Sequence, residues 1–128
     1  EGILYPKEDI PVMTPRTLLK EALEMMTAKR LGLACVIDDN GKLIGLFTDG
    51  DLRRLLLKSQ KPLSALFADD IINHARTNFT SIDQNTGIDD ALSLLQQHEI
   101  FDLPVLDKKG GLKGVMHLHP ALNALLAK

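Results

Sequence analysis

Apolar positions along this chain switch between two spacings, and the switch happens twice. Leu19, Ala22, Leu23 and Met26 recur every three or four places and predict an amphipathic helix; Ile88, Ala91, Leu92 and Leu95 predict its twin. After each stripe comes a short, unbroken apolar run, at residues 33–38 and 103–107, which reads as a buried strand. Asp39-Asn40-Gly41 follows the first run and Lys108-Lys109-Gly110-Gly111 the second, where Asn and Gly accept positive φ at little cost. Return strands are expected at 42–47 and 112–116, and short extended openings at 9–13 and 78–82. Closing helices are expected over 49–58 and 120–127, the latter with Pro120 at its favoured first position. Thr17 and Thr86 are candidate N-caps, with Asp89 at the capping-box place of the second, and Gly32 is the expected stop of the first helix.

The two halves are copies of one another. Gly45 and Gly114 lie 114 − 45 = 69 residues apart, and the same offset places Thr17 on Thr86, Ala22 on Ala91, Val36 on Val105, Asp38 on Asp107 and Gly41 on Gly110. Positions that differ keep their character, as in Met26/Leu95, Leu46/Val115 and Phe47/Met116. Each copy reads β-α-β-β-α, over 1–58 and 70–128, with a linker at 59–69. Within and after that linker, Lys61-Pro62 breaks the first closing helix, Leu63–Phe67 has the makings of one more turn, and Asp69-Asp70-Ile71-Ile72 leads into the second copy. A unit of this size has one apolar sheet face that it cannot bury alone. The expected fold is therefore α+β, two units packed face to face about a pseudo-twofold axis with a cleft between them.

Composition narrows the function classes. A net charge of −2, with acids and bases interspersed, leaves no basic face for nucleic acid or membrane lipid. Four Phe, one Tyr and no Trp leave little for base stacking. Cys35, the single cysteine, cannot form an internal disulfide and sits in an apolar run, so it reads as a buried thiol in a reducing compartment. No apolar run has the length of a membrane span, and the start, Glu1-Gly2-Ile3-Leu4, carries neither Met nor a signal peptide. The expectation is an excised piece of a cytoplasmic protein.

Candidate chemistry concentrates in Gly45-Leu46-Phe47-Thr48-Asp49-Gly50-Asp51-Leu52-Arg53-Arg54, where a strand runs into a helix start. Free N–H groups and the helix dipole there favour an anion, and an ionised Asp51 could accept two hydrogen bonds from a ribose diol. The commoner use of Thr48, Asp49 and Asp51 is to cap the helix, and both readings stand at this level. Arg53 and Arg54 could neutralise a phosphate, but neighbours on a helix point about 100° apart, so one at most faces the cleft. In the second copy His117 and His119 lie two apart at a strand end and can share a side. No third metal ligand is placed by the sequence, and an anion contact suits the pair better. No Ser/His/Asp or Cys/His set is suggested by position, so no catalytic residue is assigned.

The duplicated unit resembles a CBS domain pair, or Bateman module, over essentially the whole chain. Its marker, Gly-x-hydrophobic-Ser/Thr-x-x-Asp, is met by Gly45, Thr48 and Asp51. The longer string through Arg54, with Asp9-Ile10-Pro11-Val12 upstream and His117-Leu118-His119 in the second copy, is similar to the CBS pair of bacterial arabinose 5-phosphate isomerases. That resemblance implies a regulatory module whose Thr48 and Asp51 meet the phosphate and ribose of a nucleotide between the copies. It also implies a separate sugar isomerase domain as partner, a role in Kdo synthesis for lipopolysaccharide or capsule, and homo-oligomers formed through CBS contacts. No cofactor is required, and CMP-Kdo is a regulatory ligand of suitable chemistry, with His117 and His119 meeting its acidic group. The second copy departs from the pattern, with His117 and Pro120 where Ser/Thr and Asp belong, unless Asp102 or Asp107 substitutes. One competent half-site, at Thr48, Asp49, Asp51, Arg53 and Arg54, is the expectation. The alternative is an assembly module whose cleft is vestigial.

Overall fold

The computed structural model describes residues 4–118. Strand β1 (Leu4–Pro6) and a single 3-10 turn lead into β2 (Val12–Met13), helix α1 (Leu19–Lys29), β3 (Leu33–Ile37), β4 (Leu43–Thr48) and α2 (Asp49–Lys58). A short α3 (Leu63–Phe67) and a second 3-10 turn bridge to β5 (Ile82–Asp83), α4 (Ile88–Gln97), β6 (Asp102–Leu106) and β7 (Leu112–His117). The expected closing helix at 120–127 lies outside the described residues.

Equivalent strands make equivalent sheets. In the first unit β2 pairs parallel to β3, and β3 pairs antiparallel to β4 with Leu33 opposite Thr48. In the second, β5 pairs parallel to β6, and β6 antiparallel to β7 with Asp102 opposite His117. The register slips once in each hairpin, after Val36 and after Val105, residues that the 69-place offset equates. Both turns are built alike. Asp38 accepts from the N–H groups of Asn40 and Lys42 ahead of Gly41 at φ 82°, and Asp107 accepts from Lys109 and Gly111 around Gly110 at φ 87°. The two turns then pair with each other: Leu43 N–H donates to the Gly110 carbonyl at 3.0 Å, and Leu112 N–H to the Gly41 carbonyl at 3.1 Å. That reciprocal pair is the pseudo-twofold written in hydrogen bonds.

Apolar side chains gather in three layers. Leu19, Ala22 and Met26 of α1 pack on Ala34, Val36 and Phe47 on the outer side of the first sheet. Ala91 and Leu95 of α4 do the same with Leu103 and Met116 of the second. Between the sheets, Leu33, Cys35, Leu43 and Leu46 meet Leu112 and Val115. Each unit thus covers the face the other could not bury alone, at about 1.5–3 kcal/mol for each large side chain removed from water.

Helix ends depart from the sequence expectation. The N-caps are Leu18 and Gly87, and neither Thr17 nor Thr86 caps with its hydroxyl. Leu19 N–H is taken instead by the Asp69 carbonyl of the inter-unit segment, at 2.8 Å, and Leu18 N–H by the Glu21 carboxylate, at 2.9 Å. Thr86 turns its hydroxyl to Asp83, and Asp89 forms no capping box. Helix α1 stops before Gly32, at Arg30 with φ 58°, and α4 ends at Gln97, two residues before the equivalent Glu99 with φ 54°. Both are closed by a bond spanning five residues, Leu31 N–H to Met26 O and Ile100 N–H to Leu95 O, which offsets the strain of a left-handed residue that is not glycine.

The segment entering each unit lies on the other strand hairpin of the pair or at its border, and this explains the motif glycines. Strand β1 pairs antiparallel with β7 of the second unit, and a Cβ on Gly114 would run into the Tyr5 carbonyl oxygen. Residues 75 and 76, which lead into the second unit, pass over β4 of the first. Arg76 exchanges both backbone bonds with Leu46, at 2.7 and 2.9 Å, and a Cβ on Gly45 would sit 3.1 Å from Ala75 Cβ.

Candidate functional site

Strand β4 ends at Thr48 because the chain turns there into α2, and the first turn of α2 is a reciprocal cap. The Thr48 hydroxyl accepts from Asp51 N–H at 3.2 Å, while the Asp51 carboxylate accepts from Thr48 N–H at 3.0 Å and from the Thr48 hydroxyl at 3.1 Å. Asp51 is 9% exposed, the one buried charged residue among those described. Two guanidinium groups reach it. Arg54 Nη2 donates to Oδ1 at 2.6 Å and Arg76 Nε to Oδ2 at 3.0 Å.

Burial by itself would raise the Asp51 carboxyl. The hydrogen bonds from Arg54, Arg76 and Thr48, with the Arg76 charge, outweigh it and hold the group below the usual carboxylate range. The site is therefore an ionised carboxylate at a helix N-terminus flanked by two cations, a cluster with one positive charge in excess. Such a group can exchange partners with hydroxyl donors and anions.

Of the residues singled out from sequence, Thr48, Asp51 and Arg54 come together. Asp49 does not join them. Two places along a helix point to nearly opposite sides, and its carboxylate lies on the Cα of Gly32, where any side chain would overlap it. It lines a shallow hollow of about 390 Å³ with Met26, Arg30 and Leu52. Arg53 is exposed and makes no side-chain hydrogen bond among the described residues, so of the adjacent arginines Arg54 is the one turned to the carboxylate. His119 lies outside the described residues. His117 is paired with Asp102, Nδ1 to Oδ1 at 2.6 Å, with the Tyr5 ring edge-on at 6.0 Å between centroids. Asp107 does not substitute for the missing second-unit carboxylate, because it is turned into its own hairpin, where Oδ1 accepts from the N–H groups of Lys109 and Gly111.

Arg76 had no signal in the sequence: it is an isolated arginine ahead of β5, outside any motif. Asp102 had one. At the 69-place offset it replaces Leu33 beside the motif strand, a charge where the copy has an aliphatic residue. Cys35 is buried between the sheets, where desolvation and the Asp102 charge push its thiol up to about 12, so no thiolate forms near neutral pH.

This architecture and motif place the chain in a known class. The CBS domain model matches residues 3–58 and 68–119, and the chain belongs to the CBS domain family, carrying two copies in tandem. It is 36% identical over 124 residues to an uncharacterized protein of Helicobacter pylori, across 94% of this chain and 35% of that protein. It is 34% identical over 122 residues to arabinose 5-phosphate isomerase KdsD of Yersinia pestis, across 95% of this chain and 36% of the isomerase. The chain thus spans about 35% of the length of the curated relatives it matches. Among solved structures it is similar to CBSX2 in complex with AMP, at 28% identity and a TM-score of 0.78, covering 98% of this chain and 92% of that one. No helix among the described residues is long and apolar enough to cross a membrane.

Proposed function

We propose that this CBS pair is a regulatory module that senses a nucleotide at Thr48 and Asp51, within a larger arabinose 5-phosphate isomerase of the KdsD kind. The observation that carries the reading is Asp51 itself. It is a buried, ionised carboxylate whose two outermost partners, Arg54 and Arg76, sit on side chains 59% and 44% exposed. A helix cap needs Thr48 and Asp51 but neither arginine. The likeness to a CBS protein solved with AMP supports a nucleotide, and the likeness to KdsD supports an isomerase domain as partner and Kdo synthesis as setting. Asp51 would take a ribose diol and the arginines a phosphate. A nucleotide sugar with an acidic sugar, such as CMP-Kdo, adds an anion that His117 could meet only by giving up Asp102. In this reading no cofactor takes part, and the chemistry belongs to the partner domain.

A second reading, assembly, draws on α2, whose Leu56 and Leu57 are 47% and 82% exposed. Titration calorimetry with AMP and with CMP-Kdo separates the two. Binding that Asp51→Ala weakens by about ten- to a hundredfold, the worth of one charge-assisted hydrogen bond, supports sensing. Absence of binding by either compound, with the chain dimeric in solution, leaves assembly.

A further inference from the structure

Of the four hydrogen bonds that Asp51 accepts, Oδ2 takes three, from the Thr48 N–H, the Thr48 hydroxyl and Arg76 Nε, and Oδ1 takes one, from Arg54. A diol that donates one bond to each oxygen finds a lone-pair site open on Oδ1 but must displace a donor from Oδ2. The Thr48 N–H and hydroxyl are held beside Oδ2 by the first turn of α2, three residues away along the chain. Arg76, the third donor there, is the one that can leave. Arg54 spends one donor on Asp51, and so does Arg76, through Nε; no other side-chain bond is made by either among the described residues.

Arg76 differs from Arg54 in what carries it. Its backbone is pinned to Leu46, two residues before Thr48, and its side chain reaches from the segment that leads into the second unit to the site. We infer that Arg76 is the phosphate-selecting residue of this site: it occupies Asp51 when the site is empty and passes to a ligand phosphate when a ribose diol takes its place. This rests on the reading that Asp51 receives the ribose. The exchange has two consequences for recognition. A bare nucleoside must evict Arg76 and gives the cation nothing in return. A nucleoside 5′-monophosphate evicts it and then pairs with it, through the two Nη groups that Asp51 leaves unspent. Selectivity for the phosphorylated ligand thus comes from a competitor that becomes a partner.

Titration calorimetry with AMP and with adenosine, on the parent chain, Arg76→Ala, Arg76→Gln and Asp51→Ala, tests this. In Arg76→Ala adenosine should bind more tightly and AMP more weakly, so that the preference for AMP falls by roughly tenfold or more. Arg76→Gln keeps a donor for Asp51 without the charge, and should lose the preference for AMP while adenosine stays weak. If both Arg76 variants keep the parent's preference while Asp51→Ala weakens both compounds, the role given to Arg76 is wrong and the ribose reading stands. If Asp51→Ala, still folded, leaves both affinities unchanged, or if the parent binds neither compound, the ribose reading falls and the Arg76 exchange with it.

Discussion

His117 Nδ1 and Asp102 Oδ1 stand 2.6 Å apart across the β6–β7 ladder, in the register positions that Thr48 and Leu33 hold in the first unit. One backbone pairing therefore carries a hydroxyl and an aliphatic side chain in one copy and an imidazole and a carboxylate in the other. The duplicated frame has kept its geometry while the chemistry mounted on it has diverged. The first unit offers a carboxylate flanked by cations. The second offers a histidine already paired, beside the strand that enters the chain.

That pair makes stability depend on pH in a definite sense. The Asp102 hydrogen bond raises the His117 imidazole above its ordinary 6.5, against the opposing effect of burial. Its contribution is fully present below pH 6.5, and is lost as pH rises through the raised folded value, because the native state there holds a proton the unfolded chain has released. Asp102→Asn should therefore be less stable than the parent by about 1–2 kcal/mol below pH 6.5, with the gap closing as pH rises through the raised folded value. Thermal melts across that range check it. A gap of constant size would mean that His117 does not carry the proton.

Asp51 works in the opposite sense. Its carboxyl is held below 3.8, so its contribution is present above that value and is lost as pH falls through the lower folded one. At neutral pH, Asp51→Ala and Thr48→Ala should each cost about 0.5–2 kcal/mol in urea unfolding, the range for a lost helix cap. The exposed arginines add little to that, since solvent screens them. Because the two residues share the same reciprocal bonds, the double variant should cost less than the sum of the single ones. Additive losses would show that the cap is not the unit that Thr48 and Asp51 form.

Gly114→Ala tests how the entering strand is seated. The new Cβ meets the Tyr5 carbonyl oxygen, a backbone atom that can yield only if β1 lifts from β7. The expected cost is about 1–3 kcal/mol, with faster amide exchange confined to β1 and its partner residues. Gly45→Ala should cost less, since its nearest neighbour is the Ala75 methyl at 3.1 Å. Equal costs with unchanged exchange in β1 would count against this packing.

No interconversion of arabinose 5-phosphate and ribulose 5-phosphate is expected from the chain alone. Asp51 is ionised and held by its cap, His117 is committed to Asp102, and Cys35 is buried as a thiol. None is poised to move a proton on a sugar. A coupled assay on the purified chain should read the buffer rate, and turnover that follows the protein through further purification would overturn the expectation.

The sequence by itself determined whatever depends on near neighbours or on the repeat. Apolar spacing set α1 and α4, the 69-place offset set the second unit from the first, and the Asp-x-x-Gly turns set both hairpins. The cap between Thr48 and Asp51 was legible too, since three residues along a helix start is a fixed distance. Tertiary structure decided the rest. Arg76 reaches Asp51 across 25 residues of chain and Asp102 meets His117 across 15, and no local period encodes either encounter. The cap of α1 fell outside the rule for threonine because α1 takes its backbone partner from the segment between the units, and Thr86 before α4 turns its hydroxyl to Asp83 instead. Strand β1 joined the sheet of the second unit because two half-exposed sheets, packed face to face, leave each entering segment its place on the opposite side. Spacing along a chain fixes what a helix or hairpin turns toward, while the partner it meets there depends on which surfaces remain to be buried once the units exist.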